Sequence, residues 1–66
     1  MLRRTLRPRL LRPGAPPDRG EPFEVAATGI DGLRARVHAE LARRGYHVRA
    51  LSFTPTGLVA CVEVTE

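Results

Sequence analysis

Hydrophobic and polar positions change their rhythm twice along this chain. From Phe23 to Thr28 they alternate: Phe23, Val25 and Ala27 fall on one side, and Glu24, Ala26 and Thr28 on the other. That period of two predicts a short strand with one buried face. The rhythm then lengthens, because Ile30, Leu33, Val37 and Leu41 recur at spacings of three and four. They form one apolar stripe on a helix, with Ala35, Ala39, Arg36 and Arg43 on the opposite face. Thr28 and Asp31 offer side-chain oxygens at the helix start, and Arg43 and Arg44 complement the dipole at its end. Gly45 is suited to the left-handed cap position.

Beyond Gly45 the pattern returns to strands. Tyr46 to Thr54 and Leu58 to Thr65 are rich in β-branched and aromatic residues and are joined through Thr54-Pro55-Thr56-Gly57. Pro55 presets a turn and Gly57 tolerates positive φ, so the two strands read as a hairpin. The fold expected from residues 22–66 is α+β with the order β-α-β-β, one helix packed on a three-stranded sheet.

Both faces of the hairpin carry apolar side chains. With Leu58, Ala60, Val62 and Val64 turned toward the helix, Leu51, Phe53, Val59 and Cys61 gather on the uncovered face. An exposed apolar patch of that kind marks an interface with a partner. A bulge in the middle strand would instead turn Leu51 and Phe53 inward. A folding segment of some 45 residues sits near the size where small domains need extra stabilisation, so the patch points to a homo-oligomer or a protein partner.

Residues 1–21 have a different character. Prolines at 8, 13, 16 and 17 and glycines at 14 and 20 interrupt any helix, and apolar residues are sparse after Leu11. Burial there would not offset an ordering entropy of about 1 to 2 kcal/mol per residue, so this stretch reads as a disordered N-terminal arm.

Charge sharpens that division. Residues 1–20 hold Arg3, Arg4, Arg7, Arg9, Arg12 and Arg19 against Asp18 alone, a net of +5; the remainder carries −1, which makes the +4 of the whole chain. Guanidinium groups pair bidentately with phosphate, and each neutralised phosphate releases counterions. Arg3, Arg4, Arg7, Arg9 and Arg12 are therefore the candidate polyanion-binding residues, with nucleic acid the first polyanion to consider. No aromatic residue interleaves the arginines, so binding would follow backbone charge and not base identity.

Other uses of the arm compete with this one. Met1 to Leu11 is arginine-rich and free of acids, as in a mitochondrial-type targeting segment, although Pro8 interrupts the amphipathic helix such a signal needs. Contact with an anionic membrane surface would have only two or three leucines for insertion. A solvated basic tail, or a misassigned start, accounts for the same residues without any ligand. No secretory signal is complete and no stretch approaches the length of a transmembrane span, so the expected location is cytoplasmic, or an organelle if the arm is a targeting segment.

Catalytic and metal chemistry find little support. The carboxylates are scattered, and His38, His47 and Cys61 are the only nitrogen or sulfur ligand candidates, without zinc-site spacing. Cys61, alone and inside an apolar run, reads as an inert thiol. Gly29 and Gly32 in Thr-Gly-Ile-Asp-Gly do not match a phosphate-binding loop. The expectation is a small non-enzymatic binding module, without cofactor, that contacts nucleic acid or another polyanion. The alternative is a structural or accessory subunit of a larger protein complex with no nucleic-acid role.

Overall fold

A computed structural model describes residues 1–66. It is a small α+β fold with one helix and six strands: β1 (Leu2–Leu6), β2 (Arg9–Leu10), β3 (Asp18–Arg19), β4 (Phe23–Ala27), α1 (Ile30–Arg43), β5 (His47–Phe53) and β6 (Val59–Thr65). The expected α+β class holds. The expected three-stranded sheet and the disordered arm do not.

The helix forms where the stripe places it. Leu33, Val37 and Leu41 are completely buried against the sheets, and α1 packs on β4 and β5. Its N-cap is Gly29 in extended conformation, and neither Thr28 nor Asp31 supplies a side-chain cap; Asp31 instead lies in the first turn, where its charge suits the dipole. Its C-terminus closes through Gly45 at φ +83°. The Gly45 N–H donates to the Ala42 carbonyl and the Tyr46 N–H to the Leu41 carbonyl, both at 3.0 Å. That pair of bonds satisfies carbonyls the helix end would otherwise leave free. Gly32 lies inside the helix because the sheet comes close there: a Cβ at this position would stand 3.3 Å from the Ala27 Cβ.

β4 finds its partner in the arm, not in the hairpin. β1 runs antiparallel to it, with Leu2 opposite Ala27, Arg4 opposite Val25 and Leu6 opposite Phe23. β2 continues the same extended segment into the second sheet, of order β3-β2-β6-β5, where it lies parallel to β6 with Leu10 beside Val64. The Leu11 N–H extends this ladder to the Val64 carbonyl at 2.8 Å. From Leu2 to Leu10 the even-numbered side chains are buried or half-buried, and Arg3, Thr5, Arg7 and Arg9 are exposed. Leu6, Pro8 and Leu10 thereby reach the interior.

The arm is thus ordered because the rest of the chain gives it somewhere to bury three side chains and pair its backbone. The entropy cost that argues for disorder in isolation is offset by long-range contacts with β4 and β6. Its prolines sit where they do no harm: Pro8 between the two ladders, and the others in the loop that leads back to β3.

The hairpin turn forms as expected. Gly57 takes φ +84°, its N–H donates to the Thr54 carbonyl at 2.9 Å, and the Thr54 hydroxyl accepts from the Leu58 N–H at 3.1 Å. Two irregularities interrupt the β5–β6 register, one between Val48 and Ala50 and one between Ser52 and Phe53. Each inverts the local side-chain alternation, which decides the fate of the expected apolar patch.

Candidate functional site

The expected interface residues do not assemble into one exposed surface. The bulge at Arg49 brings Leu51 opposite the buried Val62, and the extra residue Ala60 brings Val59 opposite Phe53. Leu51, Phe53 and Val59 consequently pack against the core, with the Arg34 guanidinium 5.1 Å above the Phe53 ring. Cys61 alone of the four remains on the other face, opposite Ser52, and is half-buried. The bulges turn three members of the expected patch toward the core, where they remain half-buried.

The five arm arginines meet different fates. Arg4 points inward, where its Nε donates to the Gly57 carbonyl and its Nη1 to the Arg3 carbonyl, each at 2.8 Å. It fastens the hairpin tip to β1. Arg3 lies 3.8 Å from Glu24 across the β1–β4 ladder, and Arg12 is paired at 3.0 Å with Glu66. Both pairs are exposed, so they hold the side chains only loosely. Arg7 and Arg9 have neither an ion pair nor a side-chain hydrogen bond.

Those two are joined by an arginine the sequence pattern does not single out. The loop after Arg12 doubles back, and β3 sets Arg19 directly opposite Arg9. The return is pinned at Gly20, whose N–H donates to the Pro8 carbonyl at 2.9 Å. The result is an open groove of about 500 Å³, lined by Arg7, Pro8, Arg9, Pro17, Asp18 and Arg19. Three arginines contribute to it, and the register turns Asp18 to the face of Leu10, opposite that of Arg9 and Arg19. Asp18 turns its Oδ1 to accept the Arg19 backbone N–H at 2.9 Å and forms no ion pair with any of the three.

Placing like charges on directly opposed residues such as Arg9 and Arg19 is unfavourable in a strand pair. Glu63, on the other flank of Arg9 across the parallel ladder, offsets part of that repulsion. An anion in the groove would offset the rest. The signal that would have exposed Arg19 in the sequence is the alternation of residues 2–10, which marks that stretch as a strand and its loop as a return.

At the C-terminal end of α1, charged groups engage one another. Glu40 receives Arg43 at 2.6 Å and Arg44 at 3.1 Å. The Arg43 hydrogen bond, followed by that from Arg44 and their positive charge, holds the Glu40 carboxyl below its ordinary pKa; the same pairing raises that of Arg43. Arg44 also stacks 4.6 Å above Phe23 and donates to the Glu21 carbonyl, so this network closes one end of the core. No three His, Cys, Asp or Glu side chains come together in a way that could hold a metal ion, and no helix is long and apolar enough to cross a membrane.

No protein-family model, curated protein or solved structure matches the chain. The groove's own geometry therefore carries the functional reading.

Proposed function

We propose that this chain is a small non-enzymatic binding module that holds the phosphate backbone of nucleic acid in the groove formed by Arg7, Arg9 and Arg19. One observation carries the reading: the return of β3 beside β2 brings three arginines without ion-pair partners to one concave surface. Guanidinium is the side-chain group best matched to phosphate, because its planar fork donates two parallel hydrogen bonds. Arg3 and Arg12 extend the basic surface, since surface ion pairs exchange readily with a competing polyanion. Arg4 serves the fold.

The test is fluorescence anisotropy with a labelled oligonucleotide at two salt concentrations. Three phosphate contacts on a single strand give a log–log salt slope of about −2, so raising salt from about 50 to 200 mM weakens binding roughly 20-fold. Replacing Arg7, Arg9 and Arg19 by glutamine abolishes that dependence with the far-UV circular dichroism unchanged. Equal binding by the folded triple variant, or no binding by the native chain, refutes the reading.

The accessory-subunit reading draws on a separate feature. β5 is the outer strand of its sheet, so one row of its backbone donors and acceptors is open to pairing with another protein. The Arg49 bulge interrupts that edge, which favours the groove as the primary site.

A further inference from the structure

The strands bury one face and leave the other open. Leu6, Leu10, Phe23, Val25, Val62 and Val64 all lie in the core with the buried stripe of α1. Alternation puts Arg3, Thr5, Arg7 and Arg9 on the opposite, exposed side of the extended segment. Directly paired residues share a face, so Arg19 and Glu63, the cross-strand neighbours of Arg9, lie there as well. The groove arginines are thus one end of a longer row. From Arg3 to Arg9 that row runs about 20 Å, at roughly 3.3 Å per residue.

The row is held straight by its neighbours. β1 is hydrogen-bonded to β4, and β2 lies between β3 and β6. A flexible single strand must be ordered along such a row, and stacking of its bases on aromatic side chains is what usually offsets that ordering. No aromatic ring of this chain is free to do so. Phe23, Phe53 and Tyr46 all pack against the core, and the guanidinium groups of Arg44 and Arg34 already lie over the Phe23 and Phe53 rings. A duplex arrives already ordered, with a persistence length of about 50 nm. It also carries one charge per about 1.7 Å of axis, about twice the density of either of its strands. Arg9 and Arg19 stand on neighbouring strands about 5 Å apart, close to the width of about 6 Å of the minor groove of B-form DNA. The minor groove of an RNA duplex is wide, so this pair does not span it.

We propose that this open face takes double-helical DNA in preference to a single strand, through phosphate contacts from Arg7, Arg9, Arg19 and, at the far end of the row, Arg3. This rests on the nucleic-acid reading and adds the form of the ligand.

The experiment measures fluorescence anisotropy of one labelled DNA strand, alone and annealed to its complement, and of an RNA duplex of the same sequence. Each is titrated with the full chain and its Arg3→Gln variant at about 50 and 200 mM salt. Three to four phosphate contacts release more counterions from a duplex than from a single strand, so the DNA duplex binds about six- to tenfold tighter at the lower salt and only about threefold tighter at the higher. The RNA duplex binds more weakly than the DNA duplex. Arg3→Gln reduces the log–log salt slope on the DNA duplex by about 0.9, with the far-UV circular dichroism unchanged. A single strand bound as tightly as the DNA duplex overturns the proposal and leaves the phosphate-binding reading standing. An RNA duplex bound as tightly as DNA, or a folded Arg3→Gln variant with the native slope, overturns it as well. Absence of binding to all three ligands refutes the underlying reading instead.

Discussion

Truncating Leu10 to alanine measures whether the N-terminal arm belongs to the fold. Leu10 is 5% exposed and lies beside Val64, itself 0% exposed, on the parallel β2–β6 ladder. Removing a buried leucine beyond its Cβ costs about 2 to 5 kcal/mol, from lost transfer free energy and the cavity left behind. A chain of this length has a total stability of about 3 to 10 kcal/mol. Leu10→Ala thus takes about a fifth or more of what holds the molecule together. At about 4 to 8 °C per kcal/mol for a domain of this size, Tm falls by roughly 10 °C or more. Thermal and urea unfolding followed by far-UV circular dichroism are the assays. A disordered arm would give a Tm within about 2 to 4 °C of the native chain, since surface substitutions usually change stability by less than about 0.5 kcal/mol. That result would refute the burial of β2 and with it the geometry of the arginine groove.

Two further perturbations probe the groove's frame and the helix end. Gly20→Ala places a Cβ 2.9 Å from the Pro8 Cγ, so the β2–β3 return must shift; the expected loss is about 1 to 3 kcal/mol in urea unfolding, with weaker oligonucleotide binding. Unchanged stability and binding would show that the return does not need this close approach. Glu40 sets an acid limb: its carboxyl is held below the value near 4.5 of the unfolded chain, chiefly by the Arg43 hydrogen bond. The stabilisation is present above that unfolded value and is lost as pH falls through the lower folded one. Urea midpoints measured between about pH 6 and pH 3 should therefore decline less steeply in Glu40→Gln than in the native chain; identical slopes would contradict the assignment.

Much of the local structure is legible in the sequence. The stripe of Leu33, Val37 and Leu41 announces the helix and its buried face, Gly45 announces its end, and Thr54-Pro55-Thr56-Gly57 announces the hairpin. These features follow from rules that act over a few residues: 3.6-residue periodicity, positive φ at glycine and the fixed φ of proline. The helix start is less well marked, because Gly29 occupies the N-cap where Thr28 and Asp31 offer better chemistry.

Only the tertiary structure decides what the first twenty residues become. Leu2, Leu6 and Leu10 alternate with exposed side chains in a strand pattern, yet arginines occupy several intervening positions and Pro8 interrupts the run. Taken alone, the stretch buries too little to order itself. Its order depends on β4 and β6, whose strands lie far away in the chain and supply both the hydrogen-bonding edges and the apolar surface.

The same dependence governs the two candidate surfaces. Leu51, Phe53 and Val59 turn inward because bulges at Arg49 and Ala60 shift a register that strict alternation would keep. Arg7, Arg9 and Arg19 meet because the Pro-rich loop returns β3 to the edge of β2. The sequence by itself determined the helix, its cap, the turn and the concentration of positive charge in the arm. Strand partners, bulges and the convergence of three arginines on one groove were decided by the tertiary structure, because each depends on which distant backbone edge is free to pair.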